Sequence, residues 1–453
     1  MKTVECPARD IEVLTETDVL VCGGGPAGIA AACSAARHGA DVVLLERWPT
    51  VGGMATNALV NIWHTSDRTR QVIYGLVEEA IERCGGGIRR YENFPDLPDT
   101  HEFNPEVMRR VFFEMLRDAG VRVFCNIFAS EPLLSGHRIR GVAVDTKSGR
   151  KVVLGRIVID ATGDGDVAAA AGLETRFGRP ADGRVQGATM VFSLTGVDAE
   201  RVHRAGPEAA DRVIARMIEL RNQGEFPPFN EGNCRILLQC QDYQGIPAAE
   251  RPWNMCPVAG NPLDEAELTA MTSESLERIE RYLELWRGEM PGYERARLLR
   301  TGFALGLRES RRVIGRTTLT AEMVVNAQKQ RDAVGHGFWM VDIHDPKGSG
   351  HTTWTDQAAD AMPPPGASYH IPLGMCLNDA VPNLAVVGRC ASSTHAGHAS
   401  VRIQTHCMVM GQGVGTAAAL ALRNQSETPA EVATDVLQTT LRADGVFLED
   451  VPE

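Results

Sequence analysis

Apolar residues recur along this chain with two periods, and the switches between them predict an α/β order of elements. Residues 18–22 (DVLVC) form a short apolar run of strand composition. A helix-like run of small residues follows, containing Ala32 and Ala36 and ended by Gly39; DVVLL is then a second strand, with Glu46 at its carboxyl end. Residues 103–120 read as an amphipathic helix with a proline near its start and a glycine at its end. Residues 120–154 read as strands broken by an SG turn and a KSG hairpin turn. Ile157–Ile159 is a buried-strand run, and an alanine-rich helix opens after Asp164-Gly165-Asp166, where one of the two aspartates is expected to cap it. From about Gln186 to Leu373 the pattern is that of a second unit, a sheet with covering helices. Within it, residues 263–290 have helical periodicity and many charges, which points to the surface. Ala385–Val387 is another strand, GQGVGTAAALAL reads as a helix start, and the tail holds one short helix.

Composition narrows the class without naming a reaction. At 453 residues the chain is long enough for two or three domains, and its 43% apolar and 23% charged content is that of a globular protein. A net charge of −12 argues against nucleic acid or an anionic membrane surface as the main partner. The eleven cysteines include no CxxC pair and no zinc-like spacing, so no metal is expected and the thiols read as reduced. The first residues show no secretory leader and no long apolar run is present, so the reading is a soluble, cytoplasmic protein with no membrane partner; a homo-oligomer is left open.

The glycines carry the first chemistry. Gly23, Gly25 and Gly28 stand at GxGxxG spacing between strand and helix, with Glu46 closing the second strand: the context of a dinucleotide site. Gly23 permits the tight turn, Gly25 lets backbone and pyrophosphate approach, and Gly28 lets helix and strand pack. The helix N-terminus faces the diphosphate and Glu46 takes ribose hydroxyls. This spacing alone does not separate NAD from FAD. Gly52 and Gly53 follow the acid by six and seven residues, and Ala161-Thr162-Gly163 follows a later strand. No second GxGxxG follows a strand, so no separate nicotinamide domain is expected.

Further segments occur in one order: GGMAT at 52–56, DATGDGD at 160–166, RESRRVIG with LT at 308–320, HGFWMVDIH at 336–344, YHIP at 369–372, and 383–420 with its GRC, STH and GQGVGTAAAL elements. Together they resemble the FAD-dependent oxidoreductase family related to the fumarate reductase and glutathione reductase flavoproteins. The resemblance implies FAD, and a Rossmann-like FAD-binding domain of the glutathione-reductase type. That domain is discontinuous, residues 1–185 and 376–453, with an inserted α+β substrate domain at 186–375. The cofactor-binding set it implies is Gly23, Gly25, Pro26, Ala27 and Gly28, then Glu46, Arg47, Gly53 and Met54. Ala161, Gly163 and Asp164 follow, then Gly388, with Gly411 and Gly413 at the helix aimed at the flavin pyrimidine ring. After YHIP the family often continues Tyr-Arg; here Leu373-Gly374 stand instead, so a substrate-pocket arginine is missing.

The reaction this implies is hydride transfer between a small polar organic substrate and flavin N5, with reoxidation by O₂ or another acceptor. His395 is the candidate for the proton, Arg402 for orientation or charge, and His398 for specificity. His64, Arg308, Tyr369 and His370 are pocket candidates; Arg308 or Arg312 could bind an anion, and Arg402 a substrate carboxylate. Each of these also has an ordinary structural reading. The alternatives are a monooxygenase, against which the missing GDAAH signature counts, or a non-redox lyase or complex subunit. Substrate, direction of reaction, electron acceptor and covalent linkage of the flavin are left open.

Overall fold

A computed structural model describes residues 4, 10–85, 88–89, 100–239, 250–349 and 361–452. Residues 1–3 and 5–9, within the stretch from which a leader was read as absent, lie outside this set, as do the outermost residues of the expected domain bounds.

The first strand, Val13–Cys22, buries its last four residues completely. It runs parallel to Val42–Glu46 on one side, Cys22 opposite Leu45, and to Gly149–Asp160 on the other, Cys22 opposite Asp160. Parallel pairing needs a crossover, and the helix Pro26–Arg37 supplies it, with proline in its first turn, where a missing N–H costs nothing. Arg122–Cys125 extends the parallel sheet beyond Val42–Glu46. The long strand Gly149–Asp160 changes partner along its length. Its first half pairs antiparallel with Arg138–Thr146, and its last residues pair parallel with Leu384–Val386. One strand therefore brings the chain near residue 385 beside the chain near residue 20. All these parallel strands end on the same side, at Cys22, Glu46, Cys125, Asp160 and Val386, the end at which open α/β sheets bind ligands.

The helix Gln404–Arg423 covers the helix Pro26–Arg37, and small residues let them touch. A Cβ on Gly411 would overlap the carbonyl of Ala27, one on Gly415 that of Ala31, and Ser34 Oγ meets Thr416 Oγ1 at 2.7 Å. This corrects the expectation for GQGVG. The helix starts at Gln404, so these glycines are interior; Gly411 packs on the first helix and Gly413 on Val334.

A second hydrophobic core gathers residues from Ala188 to Leu305, among them Phe192, Met217, Phe229, Tyr282 and Trp286. It lies between helices and a three-stranded antiparallel sheet ordered Trp253–Val258, Ala188–Thr195, Arg297–Thr301. The helix Glu265–Glu289, expected on the surface, presents Met271, Ile279, Tyr282, Leu283 and Trp286 to this core, and its charges cover the other face. Residues between Leu319 and Leu377, including the paired strands Ala333–Gly337 and Tyr369–Pro372, pack into the first core instead.

Candidate active site

A cavity of about 350 Å³ runs from the carboxyl ends of the parallel strands, past the N-terminus of the helix Gln404–Arg423, to the sheet of the second core. At its first end the wall is mostly backbone. Gly23 has φ +113°, and a Cβ there would strike the Ala161 carbonyl; a Cβ on Gly28 would overlap the Gly23 carbonyl. Gly25 differs: no atom lies within 4 Å of where its Cβ would be, and the residue lines the cavity. The glycine pair is stitched to this turn, Gly52 N donating to Gly24 O at 2.7 Å. Glu46 is buried and accepts from Gly24 N at 2.7 Å and Trp48 N at 2.8 Å; burial pushes its carboxyl up despite these bonds.

Next to the turn, Asp160 is fully buried and ties the following loop together. It accepts from Thr162 N, Thr162 Oγ1 and Ala168 N, at 3.0, 2.7 and 2.8 Å, and burial pushes it up to about 6. Neither aspartate expected to cap the next helix does so, since Gly165 occupies the cap without a side-chain bond. Asp164 instead accepts from Ser310 Oγ and Arg389 Nη2, both at 2.7 Å. Burial works to raise its carboxyl, but Arg389 and Arg47 outweigh burial and hold it below the usual range. Asp166 pairs with Arg311 at 2.9 Å.

Polar side chains make the other end. Ile403 offers the helix Gln404–Arg423 no side-chain cap, so its first N–H groups are free of a capping side chain beside the cavity. Arg402 Nε, Gln404 Oε1, Thr405 Oγ1 and Trp339 Nε1 are buried with no hydrogen-bond partner among the described residues, and all four residues line the cavity. This wall fits a planar group that brings its own donors and acceptors, as the pyrimidine edge of a flavin does, and the helix dipole favours negative charge there. Arg402 Nη2 donates to Asp342 Oδ2 at 3.1 Å, and His344 Nε2 lies 3.2 Å from the same oxygen. Burial would raise the Asp342 carboxyl, yet His344, Arg402 and Arg308 hold it well below its usual range; burial and Arg308 push His344 down to about 4. His64 stacks on Trp339 with centroids 4.3 Å apart, and burial pushes it down to about 3. Arg308 donates to Gly187 O and Thr189 Oγ1, each at 2.7 Å, and to Asn254 Oδ1 at 3.2 Å.

Most of the residues singled out in the sequence meet at this cavity. Gly23, Gly25, Pro26, Ala27, Glu46, Arg47, Gly53, Met54, Ala161, Gly163 and Gly388 line one part, and His64, Arg308 and Arg402 another. Gly28 and Asp164 support the wall from behind. His395 and His398 do not line it. His395 Nδ1 is 3.0 Å from Glu309 Oε1; His398 is fully buried, 3.0 Å from the Arg389 carbonyl, and burial pushes it far down. Tyr369 lies in the first core with its hydroxyl 2.8 Å from Ser400 Oγ, and His370 is spent on the backbone of Gln330 and Glu449. The sequence reading did not single out Asp342, Arg389, Trp339 or Asn254, and took His344 only as part of the segment HGFWMVDIH. The one local signal for three of these was HGFWMVDIH, whose Trp339, Asp342 and His344 all face the cavity. Among the described residues no group of three or more His, Cys, Asp or Glu could hold a metal, and no helix is long and apolar enough to cross a membrane.

The chain belongs to the FAD dependent oxidoreductase family, which it matches over residues 18–441. Its cofactor is FAD. It is similar to digeranylgeranylglycerophospholipid reductase 1 of Methanopyrus kandleri, 35% identical over 37% of this chain and 42% of that protein. It is also similar to the thiamine thiazole synthase of Pyrococcus abyssi, 28% identical over 36% of this chain and 63% of that one. The chain thus spans under half the length of that reductase. Among solved structures, a geranylgeranyl bacteriochlorophyll reductase-like protein from Thermoplasma acidophilum covers 96% of this chain and 92% of its own, with 13% identity and a TM-score of 0.44.

Proposed function

We propose that this member of the FAD-dependent oxidoreductase family moves a hydride between a small polar organic substrate and flavin N5, with O₂ or another acceptor reoxidising the cofactor. One observation carries the reading. A single cavity joins the glycine turn to an uncapped helix N-terminus, and beyond it stands a wall of His64, Asp342, His344 and Arg402. FAD, when bound, supplies the two-electron centre.

The remaining work falls to the protein's own groups. Gly25 and the first turn of the helix Pro26–Arg37 would hold the diphosphate, and Glu46, with both oxygens already oriented by backbone N–H groups, the ribose. Arg402 and the N–H groups at Gln404 and Thr405 would stabilise negative charge on the pyrimidine edge. His344, oriented by Asp342 and neutral at pH 7, would accept or return the substrate proton, the part first assigned to His395. The parallel sheet completed by Leu384–Val386 supports a discontinuous FAD domain of the glutathione-reductase type. The second core, running from Ala188 to Leu305, supports an inserted substrate unit shorter than 186–375.

Anaerobic titration of the purified yellow protein with polyols, sugars, amines and hydroxy acids tests the reading. Bleaching of the flavin by one class supports it. Failure to take up FAD, or incorporation of oxygen from labelled O₂ in place of bleaching, overturns it.

A further inference from the structure

The sequence left Arg308, Arg312 and Arg402 as candidates for an anion, and their partners separate them. Arg312 is paired with Glu309 and does not line the cavity. Arg47, Arg251, Arg308, Arg389 and Arg402 do line it. Arg251 forms a two-pronged pair with Glu102 at 2.8 and 2.6 Å, and Arg389 and Arg47 share Asp164 at 2.7 and 3.6 Å. Arg402 is paired with Asp342. Arg308 has no carboxylate partner among the described residues. Its three bonds go to a carbonyl, a hydroxyl and an amide oxygen, which leaves two of its five N–H groups without a partner there. Its side chain is nearly out of water, 8% exposed. Asp342 acts on Arg308 only through its field and is itself paired with Arg402; a buried guanidinium with open N–H groups and no carboxylate in contact is costly, and a ligand carboxylate would fill that place.

We propose that Arg308 is the anchor for the carboxylate of a monoanionic substrate. This rests on the oxidoreductase reading above and names its substrate class. Of the five arginines of the wall, Arg308 alone has no carboxylate within ion-pair distance among the described residues, so one carboxylate is matched there, and a second would meet arginines that already hold Glu102, Asp164 or Asp342. The rest of the substrate faces the stacked rings of His64 and Trp339, and Trp253, which also line the cavity; these suit a flat ring that carries the polar carboxylate. The three anchoring bonds fix the guanidinium plane, so the free N–H groups are held ready for the fork-like pairing that carboxylates favour.

The FAD-loaded protein is titrated with benzoate, with the uncharged isostere benzamide, and with the dianion isophthalate, reading the flavin absorption difference and tryptophan fluorescence. Benzoate is expected to bind at least tenfold tighter than either of the others. Asn254→Asp puts a carboxylate beside Arg308 without changing side-chain size, and is expected to weaken benzoate at least tenfold while leaving benzamide and FAD content unchanged. Arg308→Gln is expected to do the same. If Arg308→Gln does not fold, Asn254→Asp decides. Equal binding of benzoate and benzamide, tighter binding of isophthalate, no response to benzoate, or unchanged benzoate affinity in Asn254→Asp each overturn the proposal. If FAD is bound and a neutral substrate bleaches it while benzoate has no effect, this inference alone fails. If FAD is not taken up, the oxidoreductase reading fails first.

Discussion

The two ends of the cavity are built by different means. At the end formed by the glycine turn the wall is backbone, folded so tightly that a single added carbon on Gly23 or Gly28 would strike a carbonyl oxygen. At the far end the wall is side chains from stretches hundreds of residues apart, His64, Arg308, Asp342, His344 and Arg402. The first end requires little beyond the absence of side chains in the right places. The second requires particular charges, each with or without a partner. Damage to the first should therefore remove the cofactor, and damage to the second should spare the cofactor and stop the chemistry.

The largest expected effect tests the backbone end. Gly28→Val must displace the Gly23 carbonyl, and overpacking of this kind costs about 1–3 kcal/mol. Purified Gly28→Val should be colourless with a lowered melting temperature; a fully yellow variant would break the comparison. Next, Asp342→Asn should lower kcat/KM by about 10²–10⁴-fold, the usual contribution of a positioned acid–base group, with FAD content unchanged. Loss of FAD in that variant would erase the distinction between the ends.

Acid should sharpen it. His64, His344, His395 and His406 are all pushed down by burial, to about 3 or about 4. Below their unfolded value near 6.5 the unfolded chain binds more protons, so stability falls as pH falls. The loss approaches about 2 kcal/mol per histidine at pH 5. Asp160, raised to about 6, works in the opposite direction, as one group against several. Melting temperature should thus drop between pH 7 and pH 5, whereas kcat/KM, resting on a neutral His344, should stay flat from pH 5.5 to 8. An inflection near 6.5 would remove His344 from its role. The smallest effect belongs to His395→Gln, whose partner is Glu309: activity within about twofold, and a stability loss of about 1 kcal/mol for one buried hydrogen bond. A hundredfold fall in kcat would restore His395 to the chemistry.

Reading the sequence succeeded where the signal was local. The strand ending at Cys22 with its turn and the helix Pro26–Arg37, the helix Pro105–Asp118, and the hairpin strands after it stand where periodicity and glycine spacing put them; the strand begins earlier, at Val13. It failed where one pattern serves two purposes. Glycines at 411 and 413 resemble a cofactor approach, but small residues inside a helix equally permit close packing, here of Gly411 on the helix Pro26–Arg37 and of Gly413 on Val334. The charges on Glu265–Glu289 suggested a surface helix, yet six positions of one stripe are buried. His395 and His398 sit close in sequence to Arg402, and the turn of the short helix His395–Val401 carries them away from the cavity that Arg402 faces.

The sequence by itself determined that this chain belongs with dinucleotide-binding proteins and where its strand, glycine turn and helix lie, because backbone shape within about thirty residues is written by glycine, proline and apolar period. Only the tertiary structure decided which titratable groups line the cavity. Their roles follow from burial and from which charge lies beside which, and both are set by segments that the fold brings together from opposite ends of the chain. Arg308 and Arg312, four residues apart, are of one residue type; Glu309 pairs with one of them, and the other lines the cavity with no carboxylate at ion-pair distance among the described residues.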